Sequence, residues 1–246
     1  MNKMNKAKLM VQVLLMYCWA LASGHRILNK YLYNMLGDES RTNLAPYKDK
    51  IFFNAGDSAL NLKNPDQIDA GTNIKHNNYT TCKNQADIYT DLAASSYAKG
   101  DYQKAAYQLS YGFHYVQDMA CPVHRIDKLA GYHSLYESYD DCDDYVGCED
   151  FQAVKDAYND PSIGMGAKLT SLVGDDTGFE ILDENTTNGK KVVDYIKNRY
   201  TVWKGYHDDC QLNTAKKRVI QDLAFAAAIQ KRYLRRPGLK EVFFDK

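Results

Sequence analysis

NQADIYTDLAASSYAKGDYQKAAYQLSYGFHYVQDMA, residues 84–120, decides the fold. Apolar residues recur at threes and fours on both sides of Lys99-Gly100-Asp101, the period of helices with one buried face. Gly100 supplies a break between the halves, and Asp101 is a capping residue for the second. That second helix must end before Pro122, because a proline pushes the residue ahead of it out of helical geometry. The stretch therefore predicts an antiparallel helical hairpin.

The same period continues outward. GKKVVDYIKNRYTVWKGY (189–206) and TAKKRVIQDLAFAAAIQKRYLRR (214–236) predict two further helices, the last followed by Pro237-Gly238. Alternating strand patterns are rare, and there is no internal repeat, low-complexity linker or compositional break. One all-α domain is the economical reading. The segment 138–180, rich in Asp, Gly and Tyr, reads as loop. A chain of 246 residues is long enough for a sizeable core. Its formal net charge of +0 advertises no basic surface for nucleic acid.

The beginning of the chain reads as a secretory signal over residues 1–22, with cleavage between 18 and 24. MNKMNKAK is a short basic region, and LMVQVLLMYCWALA is an apolar run of 14 residues that ends near small ones. Such a run is too short to span a bilayer as a typical helix. The expectation is a secreted protein whose mature part is 23–246. Secretion turns the cysteines into potential disulfides. The hairpin puts Cys82 and Cys121 at one end, which predicts a pair; Cys142 and Cys148 would close a small loop, leaving Cys210. Asn78-Tyr79-Thr80 and Asn185-Thr186-Thr187 match the glycosylation sequon, a pattern that arises often by chance.

A second stretch, FHYVQDMACPVHRIDKLAGYHSLYE (113–137), holds three of the six histidines. His114 and Asp118 stand four apart on a predicted helix, so they share a face. His133 and Glu137 repeat the spacing, and His124 follows Pro122. A lone pair of this kind is usually a surface contact or a core hydrogen bond. Two such pairs flanking a third histidine point to metal, because imidazole and carboxylate are natural zinc ligands.

H-x3-D-x5-H followed by H-x3-E resembles the metal motif of the zinc-dependent phospholipase C and S1/P1 nuclease superfamily. FHYVQDMACPVH and the helix leading into it are similar to that family's wording, although the gap from His124 to His133 is shorter. The resemblance covers roughly 19–137; the C-terminal half matches only in being helical. It implies an all-α enzyme holding about three zinc ions. Trp19 and His25 in WALASGHRIL match the family's N-terminal ligands, Asp66 in LKNPDQID its aspartate, and His76 in IKHNNY its next histidine, with Asp69 and Asp57 as runners-up for Asp66. The implied ligand sets are Asp66, His76, His114 and Asp118; Trp19, His25 and the shared Asp118; and His124, His133 and Glu137. Trp19 is a ligand only if cleavage exposes its amine. His207 is left as a surface or core histidine.

The resemblance implies phosphodiester hydrolysis, with zinc supplying hydroxide at neutral pH and Asp66 as general base. Phospholipid headgroups are the expected substrate, with transient membrane-surface contact and no obligate protein partner. Cys-Pro-Val-His resembles the phospholipases more closely than the nucleases' Gln-Pro-Leu-His. Tyr79, Tyr132 and Tyr136 would suit a choline-binding aromatic box, and equally a base-stacking slot. The alternative is therefore an S1/P1-type single-strand nuclease. A second alternative is a non-catalytic, zinc-stabilised secreted binding protein.

Overall fold

The computed structural model describes residues 22–49, 65–69, 72–74, 76, 78–125, 151–162, 164–174 and 182–244. Among these there is no strand. The helices are α1 (Ala22–Met35), α2 (Asp38–Leu44), α3 (Pro65–Asp69), α4 (Tyr79–Ala98), α5 (Tyr102–Ala120), α6 (Phe151–Asn159), α7 (Met165–Val173), α8 (Thr187–Asp208), α9 (Leu212–Leu234) and α10 (Lys240–Phe243). A one-turn 3₁₀ segment, Val123–Arg125, follows α5. None of these helices is long and apolar enough to cross a membrane.

The hairpin forms as its residues require. Asn78 Oδ1 accepts from the Thr81 amide at the start of α4. At the other end the Gly100 amide donates to the Tyr97 carbonyl and the Asp101 amide to that of Ser96. This is the left-handed helix stop that glycine favours, and Gly100 has φ +76°. Asp101 then accepts from the Lys104 amide and opens α5. The two helices approach closely at Gly112, where an added Cβ would stand 2.6 Å from Thr90 Cγ2 and 3.1 Å from the Ala86 carbonyl oxygen.

Every residue of α5 from Gln108 to Ala120 is buried. Its polar side chains must therefore find partners inside the protein. Gln108 does so by accepting from Ser96 Oγ at 2.7 Å. The enclosing layer includes α9, whose run Ala224–Gln230 is buried throughout. Small side chains there let α9 pack against α1, α5, α6, α7 and α8. Arg199 on α8 pairs with Asp222 on α9 and also donates to the Arg218 carbonyl at 3.1 Å.

Two expectations are corrected. The segment 138–180 is not all loop, because it contains α6 and α7. Met165, Leu169 and Val173 recur every fourth residue and are buried, so the helical period was present beneath the Asp-rich composition. Cys82 and Cys121 do lie near one another's end of the hairpin, where both act on Arg125. Yet they are thiols, as is Cys210. Cys82 is fully buried, and its Sγ donates to the His76 carbonyl at 3.0 Å. Cys18, Cys142 and Cys148 lie outside the described residues.

Candidate metal centre

The C-terminal half of α5 is the scaffold. His114 and Asp118, one turn apart, are 2% and 1% exposed. Pro122 stops the helix, and the turn Val123–Arg125 carries His124 back toward it. The first turn of α1 brings His25, α3 brings Asp69, and His76 precedes α4.

Four imidazoles converge on Asp118. Oδ1 lies 3.5 Å from His25 Nε2 and 3.5 Å from His124 Nε2. Oδ2 lies 3.3 Å from His114 Nε2 and 2.6 Å from His76 Nδ1. The other face of His76 meets a second carboxylate, with Nε2 2.9 Å from Asp69 Oδ2. Tyr115 donates its hydroxyl to that same oxygen at 2.6 Å. The His25 and His114 rings stack at 4.0 Å. Burial pushes the Asp118 carboxyl up, but the charges of His114 and His124, with hydrogen bonds from His114 and His76, hold it well below the usual carboxylate range.

His25, His114 and Asp118 offer ligand atoms that all lie within 4.8 Å of one another. Bonds of about 2.05 Å at a tetrahedral angle place ligand atoms about 3.3 Å apart. The separations of 3.3 to 3.5 Å between Asp118 and His114, His25 and His124 match that edge. The donor chemistry, neutral imidazole nitrogen with a carboxylate, fits zinc as well. The 2.6 Å between His76 and Asp118 is instead a hydrogen-bond length.

A buried amide chain sets the orientation of His25. The Leu28 carbonyl only accepts, so the Gln230 atom 3.1 Å from it is Nε2. That turns Gln230 Oε1 toward Gln117 Nε2 at 2.7 Å, and Asn29 Oδ1 accepts from the same nitrogen at 2.8 Å. Gln117 Oε1 therefore faces His25 Nδ1 at 2.6 Å. An oxygen there requires a proton on Nδ1, which leaves the Nε2 lone pair pointing at Asp118.

Of the sequence-predicted ligands, the structure brings His25, His76, His114, Asp118 and His124 together. Trp19, His133 and Glu137 lie outside the described residues, as do Asp57, Tyr132 and Tyr136. Asp66 sits in α3, but its side chain also lies outside them. Asp69, one of the runners-up, is a carboxylate of α3 that reaches the cluster. His207 stacks on Trp203 at 5.1 Å, apart from the site. Gln117 and Tyr115 were missed. Both lie inside the quoted motif, and the signal was a glutamine and a tyrosine on a helix with no outer face. No family model matches the chain, and it has no significant match among curated proteins or solved structures.

Proposed function

We propose that the chain is a secreted, zinc-dependent phosphodiesterase of the phospholipase C and P1 nuclease type, acting on phospholipid headgroups. The observation that carries this reading is the convergence of His25, His76, His114 and His124 on one buried carboxylate, Asp118. A core seldom gathers so many imidazoles unless they do chemistry, because each must lose its hydration.

Zinc, when bound, lowers the pKa of a water from 15.7 to about 7 and polarises a phosphoryl oxygen. His25, His114 and Asp118 would hold one ion. Asp118 would serve a second with its other oxygen. Residues 133 and 137 would complete a third set with His124, on the resemblance. An α3 carboxylate, Asp66 on the resemblance or Asp69 on proximity, would take the proton of the attacking water. That water's oxygen bonds to phosphorus, the P–O ester bond breaks, and the leaving oxygen takes up a proton.

Zinc content of the purified mature protein, with parallel assays on phosphatidylcholine and single-stranded DNA, tests the reading. Zinc with lipid turnover supports it. Turnover of DNA alone replaces the phospholipase by a nuclease. Zinc with no turnover on either leaves a zinc-stabilised binding protein.

A further inference from the structure

We propose that Arg125 is the residue that grips the phosphoryl group of the substrate at this centre. The inference deepens the phosphodiesterase reading and rests on it for the identity of the anion. Arg125 directly follows His124, whose Nε2 is 3.5 Å from Asp118 Oδ1, and the Asp118 charge acts on its guanidinium. Its Nε and Nη2 are buried and have no hydrogen-bond partner among the described residues.

Such orphaned donors are rare. Leaving a buried charged donor unpaired costs more than leaving a neutral one, so two such donors on one guanidinium call for a partner from outside the chain. The two orphans are also a particular pair. Nε–H and the adjacent Nη2–H lie on one edge of the planar guanidinium and point the same way. That edge matches two oxygens of a phosphate or carboxylate, which it binds bidentately. The guanidinium stands 5.9 Å from the centroid of the Tyr79 ring, a cation–π contact that limits how it can turn. A dianionic or monoanionic phosphoryl group satisfies the fork.

The resemblance does not supply this role, since Arg125 falls between the motif's specified positions. The sequence shows only an arginine after His124. The experiment uses the full mature protein and two variants, Arg125→Met and Arg125→Lys. Zinc content and folding by circular dichroism are measured first. Then inorganic phosphate is titrated by calorimetry, and KM and kcat are measured for a soluble phosphodiester. Both variants should keep the wild-type zinc content, because Arg125 is not a ligand. Arg125→Met should weaken phosphate at least tenfold and raise KM. Arg125→Lys should recover little, because a point charge cannot replace a fork. Unchanged phosphate affinity in Arg125→Met overturns the proposal, and so does full recovery by lysine. If the wild type binds no zinc yet its phosphate affinity still falls with Arg125→Met, the metal reading fails and the anion fork stands. If Arg125→Met does not fold, Arg125→Lys alone decides, since it keeps the charge and the stem while removing the fork.

Discussion

His76 Nδ1 lies 2.6 Å from Asp118 Oδ2, while its Nε2 lies 2.9 Å from Asp69 Oδ2. One imidazole thus links two buried carboxylates, and Tyr115 fixes the far one by donating to Asp69. The arrangement leaves Asp118 little freedom to rotate. Its second oxygen is directed at His25 and His124, and this explains why a single carboxylate organises ligands from separate segments.

Asp118 is accordingly expected to matter more than any other ligand. Asp118→Asn keeps the shape, but it removes the charge and replaces one oxygen by an NH2 group. That nitrogen cannot ligate, and neighbouring dications lose the anion that offsets their repulsion. On the proposed reading, the variant should lose zinc from a paired site and with it any phosphodiesterase activity of the wild type. Glu137→Gln should lose at most the third ion. Metal counts on the two proteins, side by side, are the check. Equal losses from the paired site would remove Asp118 from its central role.

Gln117→Met tests the orientation of His25. Methionine fills a similar volume but accepts no hydrogen bond from Nδ1–H of any strength. Nitrogen NMR of the metal-free protein above pH about 8, where an unperturbed imidazole is neutral, should show one His25 tautomer in the wild type and a mixture in the variant. Removing a partner of this kind typically lowers metal affinity about 10–100-fold. A variant with the same tautomer and the same zinc affinity would show that the amide chain only fills space.

Gly112→Ala should destabilise the hairpin by about 1–3 kcal/mol, the usual cost of overpacking. The added methyl meets Thr90 Cγ2 at 2.6 Å between two helices that have no slack. Thr90→Ser removes that methyl and keeps the hydroxyl that donates to the Ala86 carbonyl at 2.7 Å. The double variant should therefore recover part of the loss in urea unfolding. No recovery would place the strain on the Ala86 carbonyl, 3.1 Å from the new carbon.

What could be read in advance follows from how local each signal is. The hairpin rested on Gly100, Asp101 and Pro122, which act on their immediate neighbours, and the breaks they set hold, although α4 begins at Tyr79 and so contains Cys82. The pairing of His114 with Asp118 needed only the helical period. His25 and His76 required chain segments that no local rule brings together, and only the resemblance named them. Within α3, two aspartates three residues apart cannot be told apart by spacing, and it is Asp69 whose contact with His76 is described. Gln117 escaped notice because its role depends on Asn29 and Gln230, respectively 88 and 113 residues away. Helices α6 and α7 were hidden by composition, since the segment that holds them is rich in Asp, Gly and Tyr.

Metal removal should loosen the whole fold, and its effect should depend on pH. The candidate ligands come from α1, α5 and the turn after α5, so a bound ion adds a further tie between α1 and α5. A ligand that binds only the folded state at about 100 times its Kd adds about 2.7 kcal/mol. For a protein of this size that is about 5–10 °C in melting temperature. The sign with pH follows from the imidazoles. Zinc binds them neutral, so protons compete with it as pH falls. The stabilisation by zinc is therefore largest on the alkaline side and is lost as the imidazoles take up protons. The difference in melting temperature between the zinc-loaded and chelator-treated protein should shrink steadily from pH about 8 to pH about 5. A difference that stays constant over this range would mean that the ion is not held by histidine. No difference at any pH would mean that the cluster is a packed polar core, with Asp118 serving only to satisfy the rings around it.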